Sequence, residues 1–288
     1  MNLFDQLVTE ALTHQPNLSP LRIVVEKELL HHDILRILSQ NNLLTDLTFM
    51  GGTCLRACYG GIRLSEDLDF TGGKHFSRDN LSTMGQILTQ SLKEKYSLLV
   101  MVSEPVKDIK NVDTWKIKIE TRVQQKHFPA QRINIDICAI PSYEKKPMML
   151  LNPYGVDMGT NGLVLQAQSR EEIYSDKLLA FALRPNRIKY RDLWDIVWLH
   201  QQGLKPNFEL IPKKLQDRRV APDFFLKLFD ERLKLLSSDT HLSQEYAKEM
   251  HRFLPLEQLN RMGDHNNTWS FIVYLISDLS EKMRAQGV

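Results

Sequence analysis

The chain has 288 residues, of which 37 are Lys or Arg and 35 are Asp or Glu, so its formal charge is only +2. So even a balance excludes attachment to polyanions by bulk positive charge. A hydrophobic share of 42% with 25% charged residues excludes disorder and fibrous repetition, at a length able to bury one large core or two small ones.

Helical spacing covers residues 1–18 and 20–40, the second with Leu21, Val24, Val25, Leu29, Leu30, Ile34, Leu35 and Ile37 on a broad stripe behind Pro20. Leu47-Thr48-Phe49-Met50 reads as a short strand halted by Gly51-Gly52, after which Thr53 to Tyr59 starts a helix. Gly60-Gly61 ends that helix, and Ser65 to Phe70 forms a second extended segment closed by Gly72-Gly73. A helix over Arg78 to Tyr96 and a strand over Leu98 to Val102 follow. Trp115, Ile117, Ile119, Thr121 and Val123 then alternate with Lys116, Lys118, Glu120, Arg122 and Gln124. After a turn through Pro129 the alternation returns in Arg132 to Cys138, with Ile133, Ile135 and Ile137 on one face, which predicts an antiparallel pair. Past residue 168 helical patterns take over at 169–183, 189–202, 221–236, 241–254 and 267–284. The expected organisation is an α+β protein, with an α/β domain over 1–167 and a helical domain over 168–288 that contributes to the same cleft.

Three cysteines, Cys54, Cys58 and Cys138, offer no disulfide framework and suit a reducing compartment, so a cytoplasmic location is expected. Cys54 and Cys58 have no nearby His to complete a zinc site and read as small buried side chains. The N-terminus lacks the basic and apolar parts of an export signal, and the longest apolar run, Phe271 to Ile276, is too short to span a bilayer, so no membrane role is expected. His32-Asp33 raises the possibility of a metal phosphohydrolase, but further ligands at helix-borne spacings do not appear. With Leu29, Leu30, Ile34 and Leu35 around it, the doublet is expected at the surface or at a cap.

Asp67 and Asp69 stand two apart in an extended segment, so they share a face and can share a hard cation such as Mg2+. Just upstream, the strand-to-helix turn at Gly51-Gly52-Thr53 leaves backbone N–H groups at a helix N-terminus, with no Cβ atoms in the way of a phosphate. Asp136 adds a carboxylate on the polar face of a β-prone strand. Three carboxylates with two Mg2+ ions would clamp a triphosphate and activate an attacking hydroxyl. No Gly-Lys-Ser/Thr follows the glycines and no dinucleotide fingerprint is present, so the ATPase and Rossmann readings are weak.

The block Phe49-Met50-Gly51-Gly52-Thr53-Cys54-Leu55-Arg56-Ala57-Cys58-Tyr59, continuing through Arg63-Leu64-Ser65-Glu66-Asp67-Leu68-Asp69-Phe70, resembles the AbiEii-type nucleotidyltransferase toxins of bacterial toxin–antitoxin and phage-abortive-infection systems. Glu171-Glu172-Ile173-Tyr174-Ser175-Asp176-Lys177-Leu178 and Tyr190-Arg191-Asp192-Leu193-Trp194-Asp195-Ile196 are similar to that family's downstream lysine and aspartate motifs, while residues 205–288 carry none. The resemblance implies a polymerase-beta-like nucleotidyltransferase core, a mixed or antiparallel sheet with flanking helices, followed by a helical domain. It implies transfer of NMP from an NTP, with Mg2+ or Mn2+, to an acceptor such as RNA, the 3′ end of tRNA being one, with growth arrest as the outcome and a cognate antitoxin as a partner. Residue by residue, it places Gly51, Gly52, Thr53 and Arg56 in nucleotide binding, Asp67 and Asp69 on the metal with Asp136 as the third strand carboxylate, and Lys177 on the triphosphate. It also implies an essential aspartate that is either Asp192 or Asp195. Thr53 stands where the superfamily commonly has Ser, and retains the hydroxyl.

Two readings stay open. Lys177, on a helix with Ile173, Leu178, Phe181 and Ala182 inward, suits either a solvated face or a ligand. The stretch Arg184 to Arg191 carries four positive charges and no acid, and either steers phosphate or is merely solvated. A nucleotide sensor with a partner-binding helical half is the noncatalytic alternative; it leaves the three carboxylates without a purpose.

Overall fold

The computed structural model describes residues 2–105, 111–122, 130–239 and 241–287. Two compact units divide the chain, Met1–Gln168 and Ser169–Val288. In the first, helices α1 (Leu3–His14) and α2 (Arg22–Gln40) precede strand β1 (Thr48–Met50), helix α3 (Gly51–Tyr59) and strand β2 (Leu68–Thr71). Helix α4 (Met84–Tyr96) and strands β3 (Leu99–Ser103), β4 (Val112–Glu120), β5 (Gln131–Cys138), β6 (Lys145–Met149) and β7 (Val164–Gln168) complete it. The strands form one seven-stranded sheet in the order β3-β4-β5-β2-β1-β7-β6. It is mixed: β2 runs antiparallel to β1 but parallel to β5, which in turn pairs antiparallel with β4.

Alternation along β4 and β5 divides the sheet into two faces, as the period-two pattern requires. Trp115, Ile117 and Ile119 with Ile133, Ile135 and Ile137 are buried, and helices α2 and α4 pack against this part of the sheet. The other face carries Thr114, Lys116 and Lys118 on β4 and Arg132, Asn134 and Asp136 on β5, half-buried or exposed. Val123, Gln124 and the turn through Pro129 lie outside the described residues.

Helix α2 is pinned through three buried carboxylates, each fully supplied with donors as burial demands. Glu26 accepts from Arg122 at 2.6 Å and Gln131 at 2.6 Å. Glu28 reaches the segment before β2, and Asp33 accepts from Lys95 at 2.6 Å, Arg36 at 3.0 Å and the Tyr96 hydroxyl. The expectation of a surface or capping role for His32-Asp33 is therefore corrected: both are buried, and His32 Nδ1 lies 3.0 Å from Thr160 Oγ1. The apolar stripe around the doublet carries these two polar groups inward because α4 and the Thr160 loop bring partners to them.

Burial, only partly offset by Glu28, holds His32 down at about 4, and burial lowers His31 as well. Unfolded histidines titrate near 6.5, so between those values the unfolded chain binds more protons and stability falls with the pH. The His32 contribution is whole above about pH 6.5 and is lost on acidification to pH 4, roughly 3 kcal/mol in all. Urea midpoints measured from pH 7.5 to 4 should decline through this window, and more gently in His32→Asn; equal slopes for both proteins would refute the assignment.

The second unit is helical: α5 (Arg170–Leu183), α6 (Tyr190–Gln201), α7 (Leu210–Asp217), α8 (Pro222–Ser238), α9 (His241–Met250), α10 (Leu256–Met262) and α11 (His265–Ala285). Its first helix is N-capped by Ser169, whose hydroxyl accepts from the Glu172 N–H at 3.0 Å. Glu172 also pairs at 2.6 Å with Lys214 of α7, which is itself buried and lies 2.8 Å from Asp176. Among the described residues no helix is long and apolar enough to cross a membrane.

Candidate active site

Two of the carboxylates predicted from spacing, Asp69 and Asp136, lie level on the polar face of the sheet. Asp69 of β2 is in register with Asp136 of the parallel neighbour β5, which sets their backbones ~4.8 Å apart with both side chains on one face. On the far side of Asp136 lies Thr114, whose hydroxyl donates to Asp136 Oδ1 at 2.7 Å and fixes its orientation. On the far side of Asp69 lies Met50, the last residue before the glycine turn. Asp67 precedes Asp69 by two and accepts from the Asn134 N–H at 3.1 Å, so it is tied to the same strand pair. All three carboxylates are half-buried.

Gly51 joins turn and carboxylate. Its φ is +76°, and a Cβ built on it would stand 2.7 Å from Asp69 Oδ2. Only glycine satisfies both the left-handed backbone and that approach. Helix α3 begins here with no side chain capping its N-terminus, so its first N–H groups, those of Gly52 and Thr53 included, are donors for an anion beside the carboxylates.

The side chain of Thr53 has other work. It is buried, donates to the Asp67 carbonyl, and sits 2.6 Å from Ser65 Oγ, which must then be the donor in that bond, since Thr53 has only one hydroxyl proton. Arg56 is likewise engaged by protein, by Glu28 at 3.1 Å and the Gly61 carbonyl at 3.0 Å. Both belong to a clamp behind the segment that carries Asp67. Within it Glu28 accepts from the Ser65 N–H at 2.7 Å and from the Tyr154 hydroxyl, His31 Nε2 lies 3.0 Å from the Glu66 carbonyl, and Lys27 pairs with Glu66 at 2.7 Å.

In the second unit the lysine and aspartate motifs also converge. Lys177 Nζ lies 2.6 Å from Asp192 and 2.8 Å from Asp195, and Arg184 lies 3.0 Å from Asp192. Burial alone would raise the Asp192 carboxyl, but Lys177, Lys189 and Arg184 outweigh it and hold it well below the usual carboxylate range. Lys177 is thus a buried cation between two carboxylates rather than a solvated face residue.

No curated protein sequence matches the chain. Among solved structures, MenT4, a nucleotidyltransferase toxin from Mycobacterium tuberculosis H37Rv, is similar with a TM-score of 0.55 and 13% identity, over 96% of this chain and 98% of that one. JHP933 from Helicobacter pylori is similar with a TM-score of 0.50 and 17% identity, over 91% of this chain and 94% of that one. These likenesses show the fold. The sequence model of the nucleotidyl transferase AbiEii toxin family, a Type IV toxin–antitoxin family, matches residues 33–275. The chain belongs to the AbiEii family.

As an AbiEii nucleotidyltransferase toxin it has residues at its site that sequence reasoning missed. Thr114 and Asn134 share the alternation phase of Asp136, a signal that was available in the strand pattern. Glu28 gave a weaker one, a carboxylate interrupting the apolar stripe of α2; of its partners, Ser65 stands within the family block without an assigned role, and Tyr154 gave none. The basic stretch 184–191 of this AbiEii toxin is partly neutralised within the second unit, Arg184 by Asp192 and Arg191 by Glu249 at 3.3 Å, with Arg191 also over the Phe253 ring.

Proposed function

We propose that this AbiEii toxin transfers a nucleoside monophosphate from an NTP to a hydroxyl at the end of an RNA: the hydroxyl oxygen bonds to the α-phosphorus as pyrophosphate leaves, and Mg2+ or Mn2+ would be held among Asp67, Asp69 and Asp136. The observation that carries the reading is the register of Asp69 against Asp136 with the Cβ-less turn at Gly51 over Asp69. Like charges so close on one face repel unless a cation joins them, and carboxylate oxygens are the donors a hard cation prefers. Among the described residues no three His, Cys, Asp or Glu side chains form a cage of their own. Mg2+ is commonly bound by one or two carboxylates and completed by substrate phosphates and water, so the level pair Asp69 and Asp136 would be enough to seat it.

The bound metal supplies charge neutralisation for the phosphates and lowers the pKa of the attacking hydroxyl. The remaining work falls to the chain. The N–H groups of Gly52 and Thr53 hold phosphate oxygens, Thr53 acting through its backbone while its hydroxyl fastens the Asp67 segment. Asp136, oriented by Thr114, takes the proton of the acceptor hydroxyl. In the second unit Lys177, the residue the resemblance assigns to the triphosphate, has its rotamer set by Asp192 and Asp195; Arg56 serves the site through the clamp. The half-exposed carboxylates on a sheet face suit a macromolecular acceptor, and the resemblance favours RNA, tRNA 3′ ends included. The family's Type IV toxin–antitoxin class implies an antitoxin partner.

The test is to incubate the purified chain and Mg2+ with each α-labelled NTP, total RNA and total protein, and to separate the fractions. Label should enter RNA. Label in protein alone would overturn the acceptor assignment, and label in neither would favour the nucleotide sensor.

A further inference from the structure

The polar face of the sheet does not stop at the carboxylates. Reading along β4 and β5 away from the Asp136–Thr114 pair, the next same-face pair is Asn134–Lys116 and the one after it is Arg132–Lys118. Beyond these, β3 sets Ser103 beside Lys116 and Met101 beside Lys118. Same-face positions on a strand lie ~7 Å apart, so Lys116 stands one step from the Asp136 pair and Arg132 and Lys118 stand two steps from it. Lys116 and Arg132 are exposed. Lys118 makes a 3.4 Å pair with Glu120 in which both side chains are about 40% exposed, an arrangement worth little in water.

We propose that Lys116, Lys118 and Arg132 form the binding track for the backbone phosphates of the acceptor RNA strand, just upstream of the hydroxyl that reacts at Asp136. The inference rests on the RNA acceptor reading above and adds to it the surface that holds the strand. Charge complementarity selects the occupant. The three cations on this short stretch of sheet match a run of phosphates, with Arg132 supplying a fork and the lysines point charges. The track leads from the carboxylates that serve the acceptor hydroxyl. Backbone contacts of this kind position a strand without reading its sequence. With only three cations, the affinity has a modest salt dependence, in keeping with the near-neutral chain.

The experiment compares the wild-type chain with a triple variant, Lys116→Gln, Lys118→Gln and Arg132→Gln, and with a charge-keeping triple, Lys116→Arg, Lys118→Arg and Arg132→Lys. Transfer of labelled nucleotide is measured against total tRNA and against a 12-nucleotide single-stranded RNA, and binding of the fluorescent oligonucleotide is titrated at several salt concentrations. In the Gln triple the KM for RNA should rise at least tenfold while the KM for NTP stays within twofold. The slope of log K against log salt should also fall by about 2, near 0.7 for each single-strand phosphate that the variant no longer neutralises. The charge-keeping triple should restore most of the affinity. An unchanged RNA KM and salt slope in the Gln triple, with wild type labelling RNA, would overturn the track and leave the RNA acceptor reading standing. If wild type labels only protein, or neither fraction, both fall together.

Discussion

Asp69→Asn should reduce nucleotidyl transfer by on the order of 10³-fold or more while leaving the thermal midpoint unchanged or slightly raised. The size of the loss follows from the role: a carboxylate between phosphate turn and acceptor carboxylate acts on charge that develops during transfer, and groups of that kind cost orders of magnitude when neutralised. The sign of the stability change follows from the register. Asp69 and Asp136 face each other across neighbouring strands, and like charges directly opposite are destabilising, so an isosteric amide relieves repulsion without opening a cavity. A transfer assay at saturating NTP and Mg2+, paired with thermal melts in buffer containing chelator, checks both halves. Activity within tenfold of wild type in Asp69→Asn would remove the carboxylates from the mechanism. A fall of several degrees in the melt would mean that Asp69 is structural.

The largest effect on stability is expected at Glu28. This carboxylate is 4% exposed and accepts from the Ser65 N–H, the Arg56 guanidinium and the Tyr154 hydroxyl at once. Glu28→Ala leaves the half-buried Arg56 guanidinium without its counter-charge and a buried N–H and hydroxyl without an acceptor, a change that costs about 3–5 kcal/mol. Glu28→Gln keeps one oxygen for Ser65 and the volume of the side chain, and should cost less than half as much. Because Ser65 lies two residues before Asp67, the glutamine variant should fold but transfer more slowly. The loss should fall on kcat, since the segment it loosens carries a carboxylate of the site rather than the phosphate-binding turn. Urea unfolding gives the first quantity, and steady-state kinetics well below the melting temperature gives the second. If Glu28→Ala unfolds with the wild-type midpoint, the clamp is not what holds the Asp67 segment.

The sequence made the first 140 residues readable because their signals are local. A strand ending at two glycines, a pair of aspartates two apart, and the alternation that starts at Trp115 each follow from the geometry of a single element. The pairing partners of those elements are not local, and neither β2 beside β5 nor Thr53 behind Asp67 follows from any spacing. Strands β6 and β7 were missed for two reasons. Pro147 sits within β6, which only an edge strand tolerates, and β6 is the edge; β7 has just five residues. Helix α7 was hidden by Pro212, harmless in its first turn because the N–H it lacks has no partner there. The helix α10, with seven residues after Pro255, was too short for a periodicity to register.

At the site the same division holds. Asp67, Asp69 and Asp136 were legible as chemistry because carboxylates on a strand face demand an explanation. Thr53 and Arg56 were legible as members of a motif, but not in their inward roles, because those depend on Ser65 and on a glutamate 28 residues away from Arg56. His32 and Asp33 were misjudged because their partners, Thr160 and the pair Lys95 and Tyr96, come from distant parts of the chain.

The register of β2 against β5 bears on how this chain tolerates changes in its length. Backbone pairing, not side-chain contact, puts Asp69 level with Asp136, and a slip of one residue sends every side chain of a strand to the opposite face. A one-residue insertion or deletion inside Leu68–Thr71 or within the first half of Gln131–Cys138 would therefore carry a carboxylate from the polar face into the apolar layer under α2. The same change in a connecting segment, absorbed before the next strand begins, would leave the site as it was. Across its relatives, variation in length should thus gather in the connections, while the two short stretches bearing the aspartates keep an unbroken count of residues.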